Sequence, residues 1–203
     1  MGILGGVFNP PHVGHLICAQ EAIIALELDR ILLVPVGEAS HREVEQDPGP
    51  AARVEMCELA VGGDERFEVS RLEVDRPGPS YTVDTLRELA AGGLGEEMFL
   101  LLGGDQAAAL GTWHQPEEVL ALATVAVLER AGAGRDEVAR GLSGLRGAER
   151  VIFLDTPRID VSSSFVRERA GAGLPIRYLV PDAVAGFIRD RGPYGARRTV
   201  AAR

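Results

Sequence analysis

The strongest constraint on the fold of this chain is a set of apolar runs with no polar residue inside them. They are Ile31-Leu32-Leu33-Val34-Pro35-Val36, Met98-Phe99-Leu100-Leu101-Leu102 and Val125-Ala126-Val127-Leu128. A strand with one wet face alternates apolar and polar residues, so an unbroken run marks a strand buried on both faces. Strands are therefore expected at about 30–36, 98–102, 124–128 and 150–154. Ile3-Leu4 ends a further buried strand, and the alternating residues 67–74 form an exposed-face one. Between them, apolar residues recur at helical spacing: Leu16, Ile17, Ala19, Ile23, Ile24 and Leu26; then Val54, Met56, Cys57, Leu59 and Ala60; then Val83, Leu86 and Leu89. Strand–helix alternation with two-sided strands predicts an α/β protein built on a doubly wound, mostly parallel sheet with helices on both faces. No repeat or linker divides it, so residues 1–194 are expected as one domain, with 195–203 a disordered tail.

Composition limits the function classes. No apolar run reaches eighteen residues, which argues against a membrane span. Met1-Gly2-Ile3-Leu4 lacks a charged leader segment, and Cys18 and Cys57 sit in apolar helical runs as core residues would, so a reducing cytoplasm is expected. A net charge of −9 is the wrong sign for wrapping nucleic acid. The chain contains no lysine. Every cationic contact to a phosphate must then come from arginine, histidine, backbone N–H groups or a metal.

Polar residues gather after the strands, where an open α/β sheet binds ligands. In Gly5-Gly6-Val7-Phe8-Asn9-Pro10-Pro11-His12-Val13-Gly14-His15, glycines let a phosphate chain approach the backbone, and a helix then begins. A helix start presents N–H groups without intrahelical partners and a partial positive charge, a ready anion site. His12 and His15, three apart, can face one anion there. Two metal ligands is the other reading, but a zinc site needs a third and fourth. Ser162-Ser163-Ser164-Phe165-Val166-Arg167 offers hydroxyls at another helix start and a guanidinium fork one turn in. Asp105, after Gly103-Gly104 at a strand end, suits a ribose hydroxyl or Mg²⁺ contact, or a helix cap.

The first stretch resembles the signature of the nucleotidyltransferase superfamily, G-G/S-x-F-D/N-P followed by H/T-x-G-H. Val161 to Arg167 resembles its second signature, I-S-S-T-x-I-R. Pro79-Ser80-Tyr81-Thr82-Val83-Asp84-Thr85-Leu86 and Gly103-Gly104-Asp105 with Thr112-Trp113 narrow the resemblance to the nicotinate-nucleotide adenylyltransferases, from residue 3 to about 192. The resemblance implies a Rossmann-like nucleotidyltransferase fold and an enzyme of NAD biosynthesis that joins ATP and nicotinate mononucleotide. It implies His12, His15 and Arg167 as catalytic residues. ATP contacts fall on Gly5, Gly6, Val7, Phe8, His15, Gly103, Asp105, Ser162, Ser163 and Arg167. Mononucleotide contacts fall on Val7, His41, Thr82, Val83, Trp113 and His114, with the Trp113 ring stacked on the pyridine. Mg²⁺ is expected as the cofactor, bridged through the ATP phosphates rather than held by a protein cage. A homo-oligomer is compatible with this.

Three departures stand out. Val7 replaces the usual threonine, Asn9 the commoner aspartate, and Ala39-Ser40-His41-Arg42 a Pro-Pro-His-Lys loop. Two alternatives remain at this point: a phosphopantetheine adenylyltransferase-like enzyme, and a nucleotide sensor without turnover.

Overall fold

The computed structural model describes residues 1–39, 44–92, 97–129 and 134–195. Its central sheet has six strands: β1 (Gly2–Gly6), β2 (Ile31–Pro35), β4 (Phe67–Val69), β6 (Phe99–Gly103), β7 (Thr124–Glu129) and β8 (Ile152–Asp155). Two-residue strands β3 (Glu38–Ala39) and β5 (Pro79–Ser80) pair separately. The six lie in the order β4-β2-β1-β6-β7-β8, and every pairing is parallel. In chain order this is 3-2-1-4-5-6, the doubly wound Rossmann arrangement, whose direction reverses between β1 and β6.

The unbroken apolar runs are buried on both faces, as their composition requires. Successive residues alternate between two cores: Ile3, Leu32, Val34, Leu100, Leu102, Val125 and Val127 face one, while Leu4, Ile31, Leu33, Leu101, Ala126 and Leu128 face the other. Helix α1 (Val13–Ala25) covers the second core with Cys18, Ala19, Ala22 and Ile23. Helix α4 (Thr82–Ala91) covers the first with Val83, Leu86 and Leu89, joined there by α5 (Gly104–Ala109), α6 (Pro116–Leu122) and α7 (Arg135–Gly141). A third cluster joins α2 (Pro50–Val61), α8 (Ser163–Gly171) and α9 (Asp182–Arg191) around Met56, Val166, Val184, Phe187 and Tyr194. Cys18 and Cys57 are buried thiols that form no disulfide, and burial raises the pKa of Cys57. No helix of the described residues is long and apolar enough to cross a membrane.

One expected strand is cut short. Residues 67–74 alternate in sequence, yet β4 ends at Val69, and Leu72–Asp75 forms a one-turn helix, α3. Ser70 starts the turn: its hydroxyl accepts the Leu72 N–H at 3.2 Å. The polar Glu73 is the buried residue of this turn, while Leu72 and Val74 are half-buried. Its carboxylate is drawn inward by the Thr85 hydroxyl, which donates to it at 2.7 Å. The 77–80 turn likewise contributes Pro79–Ser80 to the small sheet.

Candidate active site

Strand β1 pairs with β2 along its length, through Gly6 opposite Pro35, but with β6 only at Gly2 and Ile3. The two central strands therefore part toward their carboxyl ends, opening a crevice at the switch point, where such sheets take ligands. A Cβ built on Gly5 would meet nothing within 4 Å. The chain leaves β1 through Phe8, held at a left-handed φ of 51°, and a cis Asn9–Pro10 bond. The Phe8 ring is buried and meets the edge of His15 at 5.1 Å between centroids.

The His-x-Gly-His spacing has a local explanation. His12 caps α1, and its imidazole lies where a side chain at 14 would go: a Cβ on Gly14 would stand 3.0 Å from His12 Nδ1. The two imidazoles lie 3.7 Å apart between centroids, with His12 buried and His15 half-buried. The His12 backbone N–H donates to Nδ1 of His15 at 3.1 Å. An accepting Nδ1 places the ring proton on Nε2, so His15 is oriented as an Nε2–H donor on the edge turned away from that backbone.

The carbonyls of the same turn are tied back into the protein. Arg53 donates to Val7 O at 3.2 Å, Arg167 to Asn9 O at 3.0 Å, and the Ser163 hydroxyl to Pro10 O at 2.8 Å. Carbonyl dipoles that would repel an anion are thereby engaged elsewhere. Arg167 also donates to Ser164 Oγ at 3.2 Å and meets Glu45 at 3.5 Å. The Ser162 hydroxyl caps α8, accepting the Phe165 N–H at 3.1 Å. The second signature thus reaches the first through backbone carbonyls.

The first turns of α4 and α6 form a second wall. The ring of Tyr81 lies 4.6 Å from that of His114. Arg87 of α4 donates to Glu118 at 2.8 Å, and also to Asp84 and Gln115, fastening the two helix starts together. Val83 is buried and Thr82 half-buried. Trp113 is half-buried against the first core, with its backbone N–H donated to Leu110 O at 3.0 Å, and His114 is exposed. Gly103 caps α5, and Asp105 lies exposed in that helix's first turn, at the end of the strand next to β1. His41 lies outside the described residues. Behind this wall, Glu73 packs below Thr85, which also accepts from Arg76 at 3.1 Å. Burial raises the Glu73 pKa, and the Thr85 and Ser80 hydroxyls and the Arg76 charge oppose that only in part.

Sequence reasoning missed Arg53, Glu73 and Tyr194. Only Arg53 left a signal: a charge on the helix stripe that also carries Met56 and Cys57.

Comparison with known proteins bears on this geometry. The cytidylyltransferase-like family model matches residues 3–169. A relative from Roseiflexus sp. (strain RS-1), called "Probable nicotinate-nucleotide adenylyltransferase", is 43% identical over 194 residues, covering 96% of this chain and 97% of its own. One of the same name from Geobacillus thermodenitrificans is 39% identical over 201 residues, covering 99% and 88%. Among solved structures, Plasmodium falciparum nicotinic acid mononucleotide adenylyltransferase complexed with NaAD superposes with a TM-score of 0.78 over 95% of this chain and 96% of its own. At 14% identity that likeness speaks to the fold alone. With full-length relatives at this identity and the crevice placed at the switch point, the chain belongs to the nicotinate-nucleotide adenylyltransferase family of cytidylyltransferase-like proteins.

Proposed function

We propose that this chain transfers the adenylyl group of ATP to nicotinate mononucleotide, giving nicotinate adenine dinucleotide and pyrophosphate. The observation that carries the reading is His15, oriented through its Nδ1 at a helix start beside the parted strands. Its Nε2–H and the Gly14 N–H suit phosphate oxygens, the Val13 N–H being given to Leu179 O and the His15 N–H to His12 O.

The reaction asks little covalent chemistry of the protein. The mononucleotide phosphate is largely a dianion near neutral pH, its second pKa being about 6, so it needs no general base. One of its oxygens forms a bond to the α-phosphorus of ATP while the bond from that phosphorus to the bridging oxygen breaks, and pyrophosphate leaves. Catalysis is then alignment plus stabilisation of charge on the departing group. His12 and His15 face the ATP phosphates, and Arg167 the pyrophosphate side, after releasing Glu45. Among the described residues no group of three or more His, Cys, Asp or Glu could hold a metal ion. One exposed carboxylate, Asp105, fits a cation that arrives on phosphates and keeps most of its waters, as Mg²⁺ does. Mg²⁺ would supply charge neutralisation across the phosphate oxygens.

The second wall selects the acceptor. Helix geometry leaves the Thr82 and Val83 N–H groups outside the α4 ladder, and the His114 segment approaches the start of α6. Two helix starts fastened together favour a carboxylate on the ring, and Trp113 offers it an aromatic face.

Pyrophosphate release from ATP, nicotinate mononucleotide and Mg²⁺ tests the reading. Turnover supports it. Binding of both nucleotides without release would make the chain a sensor and defeat the proposal.

A further inference from the structure

Arg53 is 1% exposed, the largest fully buried side chain among the described residues, and nothing in the reaction above uses it. Its position is unfavourable for its own helix. It lies in the first turn of α2, where its N–H bonds to Gly49 O, and a cation at a helix start opposes the dipole. What holds it there is a set of acceptors. The guanidinium donates to Val36 O at 2.5 Å, Gly37 O at 3.1 Å and Val7 O at 3.2 Å, and Nε to Asp47 at 2.9 Å. One side chain therefore reads carbonyls from the ends of both β1 and β2.

The bond to Val7 has a consequence for the crevice. In a trans peptide the carbonyl of one residue and the N–H of the next point in opposite directions. With Val7 O turned toward the β2 end, the Phe8 N–H is turned toward the β6 side, where the strands part. It is a scarce donor. Pro10 and Pro11 have no N–H, and the His12 N–H is given to His15. The arrangement also opposes a backbone preference. Phe8 has φ of 51°, which a residue with a Cβ disfavours, and rotating the Val7–Phe8 peptide would relieve it while aiming a carbonyl oxygen into the crevice.

We propose that Arg53 is a positioning residue that latches the Val7–Phe8 peptide with its N–H toward the ATP phosphates and its carbonyl away from them. The inference rests on the reading of this crevice as the ATP site. Lysine cannot replace the latch, because one ammonium does not span three carbonyls in a plane as a guanidinium does.

The test is calorimetric binding of Mg-ATP to the full chain, which needs no turnover, with melting temperature measured in parallel. Arg53→Lys and Arg53→Gln should bind at least tenfold more weakly, and a crystal structure of either should show Phe8 at negative φ. Asp47→Asn keeps the acceptor oxygen and the three carbonyl contacts. It should melt earlier yet bind within threefold of the wild type. Arg53 variants that bind within threefold, or an Asp47→Asn loss as large as theirs, would overturn the proposal. So would a Phe8 that keeps its positive φ, or failure of both Arg53 variants to fold. Pyrophosphate release by the wild type tests the reaction separately, so a chain that binds ATP without turnover leaves this comparison standing.

Discussion

The Tyr194 hydroxyl donates to Oδ1 of Asn9 at 2.8 Å, with both residues buried. On the other side of the amide, Asn9 Nδ2 donates to Glu45 O at 2.9 Å and Gln46 O at 3.4 Å. The turn after β1 is thus fastened to a residue 185 positions later and to the loop before α2. Asn9 is a departure from the commoner aspartate of the family signature, and here it has a reason: a carboxylate has no hydrogen to give the two carbonyls. Burial also raises the Tyr194 pKa, so its hydroxyl stays a donor.

Asn9→Asp should therefore destabilise the fold by about 1–3 kcal/mol, the cost of leaving buried polar groups unmatched. Tyr194→Phe should cost about 1 kcal/mol, the worth of one hydrogen bond. Urea midpoints of the two single variants and the double variant measure this. Because Asn9→Asp keeps the oxygen that accepts from Tyr194, it is a Tyr194→Phe variant as stable as the wild type that would mean the Tyr194–Asn9 bond contributes nothing.

His15→Ala should lower kcat about 10²–10³-fold, the scale for one donor at a developing charge. The fold should survive, since His15 is half-buried. Steady-state kinetics together with a melting curve separates the two effects. Near-normal turnover would remove His15 from the mechanism.

Trp113→Ala should raise KM for the mononucleotide and leave ATP binding unchanged. Stacking of a base on an aromatic ring is worth roughly 1–3 kcal/mol by alanine substitution. A variant that melts early but binds normally would make Trp113 a packing residue of the first core.

Glu73 predicts a pH dependence of stability. Its folded pKa lies above the ordinary 4.5, because burial disfavours the charged form. Below 4.5 the carboxyl is protonated in both states, and its contribution to stability is fully present. As pH rises the unfolded chain ionises first, so that contribution is lost up to the raised value and stays lost above it. Glu73→Gln cannot titrate. Its stability relative to wild type should climb through this window and then level, as read from urea midpoints at a series of pH values. Parallel curves would show that Glu73 ionises normally.

The fold class was legible because two-sided strands leave an unmistakable apolar run; the order 3-2-1-4-5-6 was not, because other doubly wound orders fit the same runs. That His12 and His15 lie together at a helix start was legible because they are close in sequence. What could not be read depends on contacts between distant segments. The Ser70 turn ends β4 early because Glu73 is drawn to Thr85, twelve positions on. The β3–β5 pairing joins residues about forty apart, and Tyr194 finds Asn9 from the other end of the chain. The lack of lysine leaves arginine as the side chain of permanent positive charge for a phosphate. The structure shows two arginines, Arg53 and Arg167, bonded instead to backbone carbonyls of the turn after β1.

In the proposed reaction, backbone N–H groups at two fastened helix starts read the ring substituent of the acceptor. An amide would point a donor at those donors and leave a pair unmatched, a mismatch that such sites reject strongly. Side-by-side kcat/KM for nicotinate mononucleotide and nicotinamide mononucleotide, with ATP and Mg²⁺, measures this directly. At least about a tenfold preference for the nicotinate form is expected, equivalent to about 1.4 kcal/mol. Equal use of the two mononucleotides would contradict it.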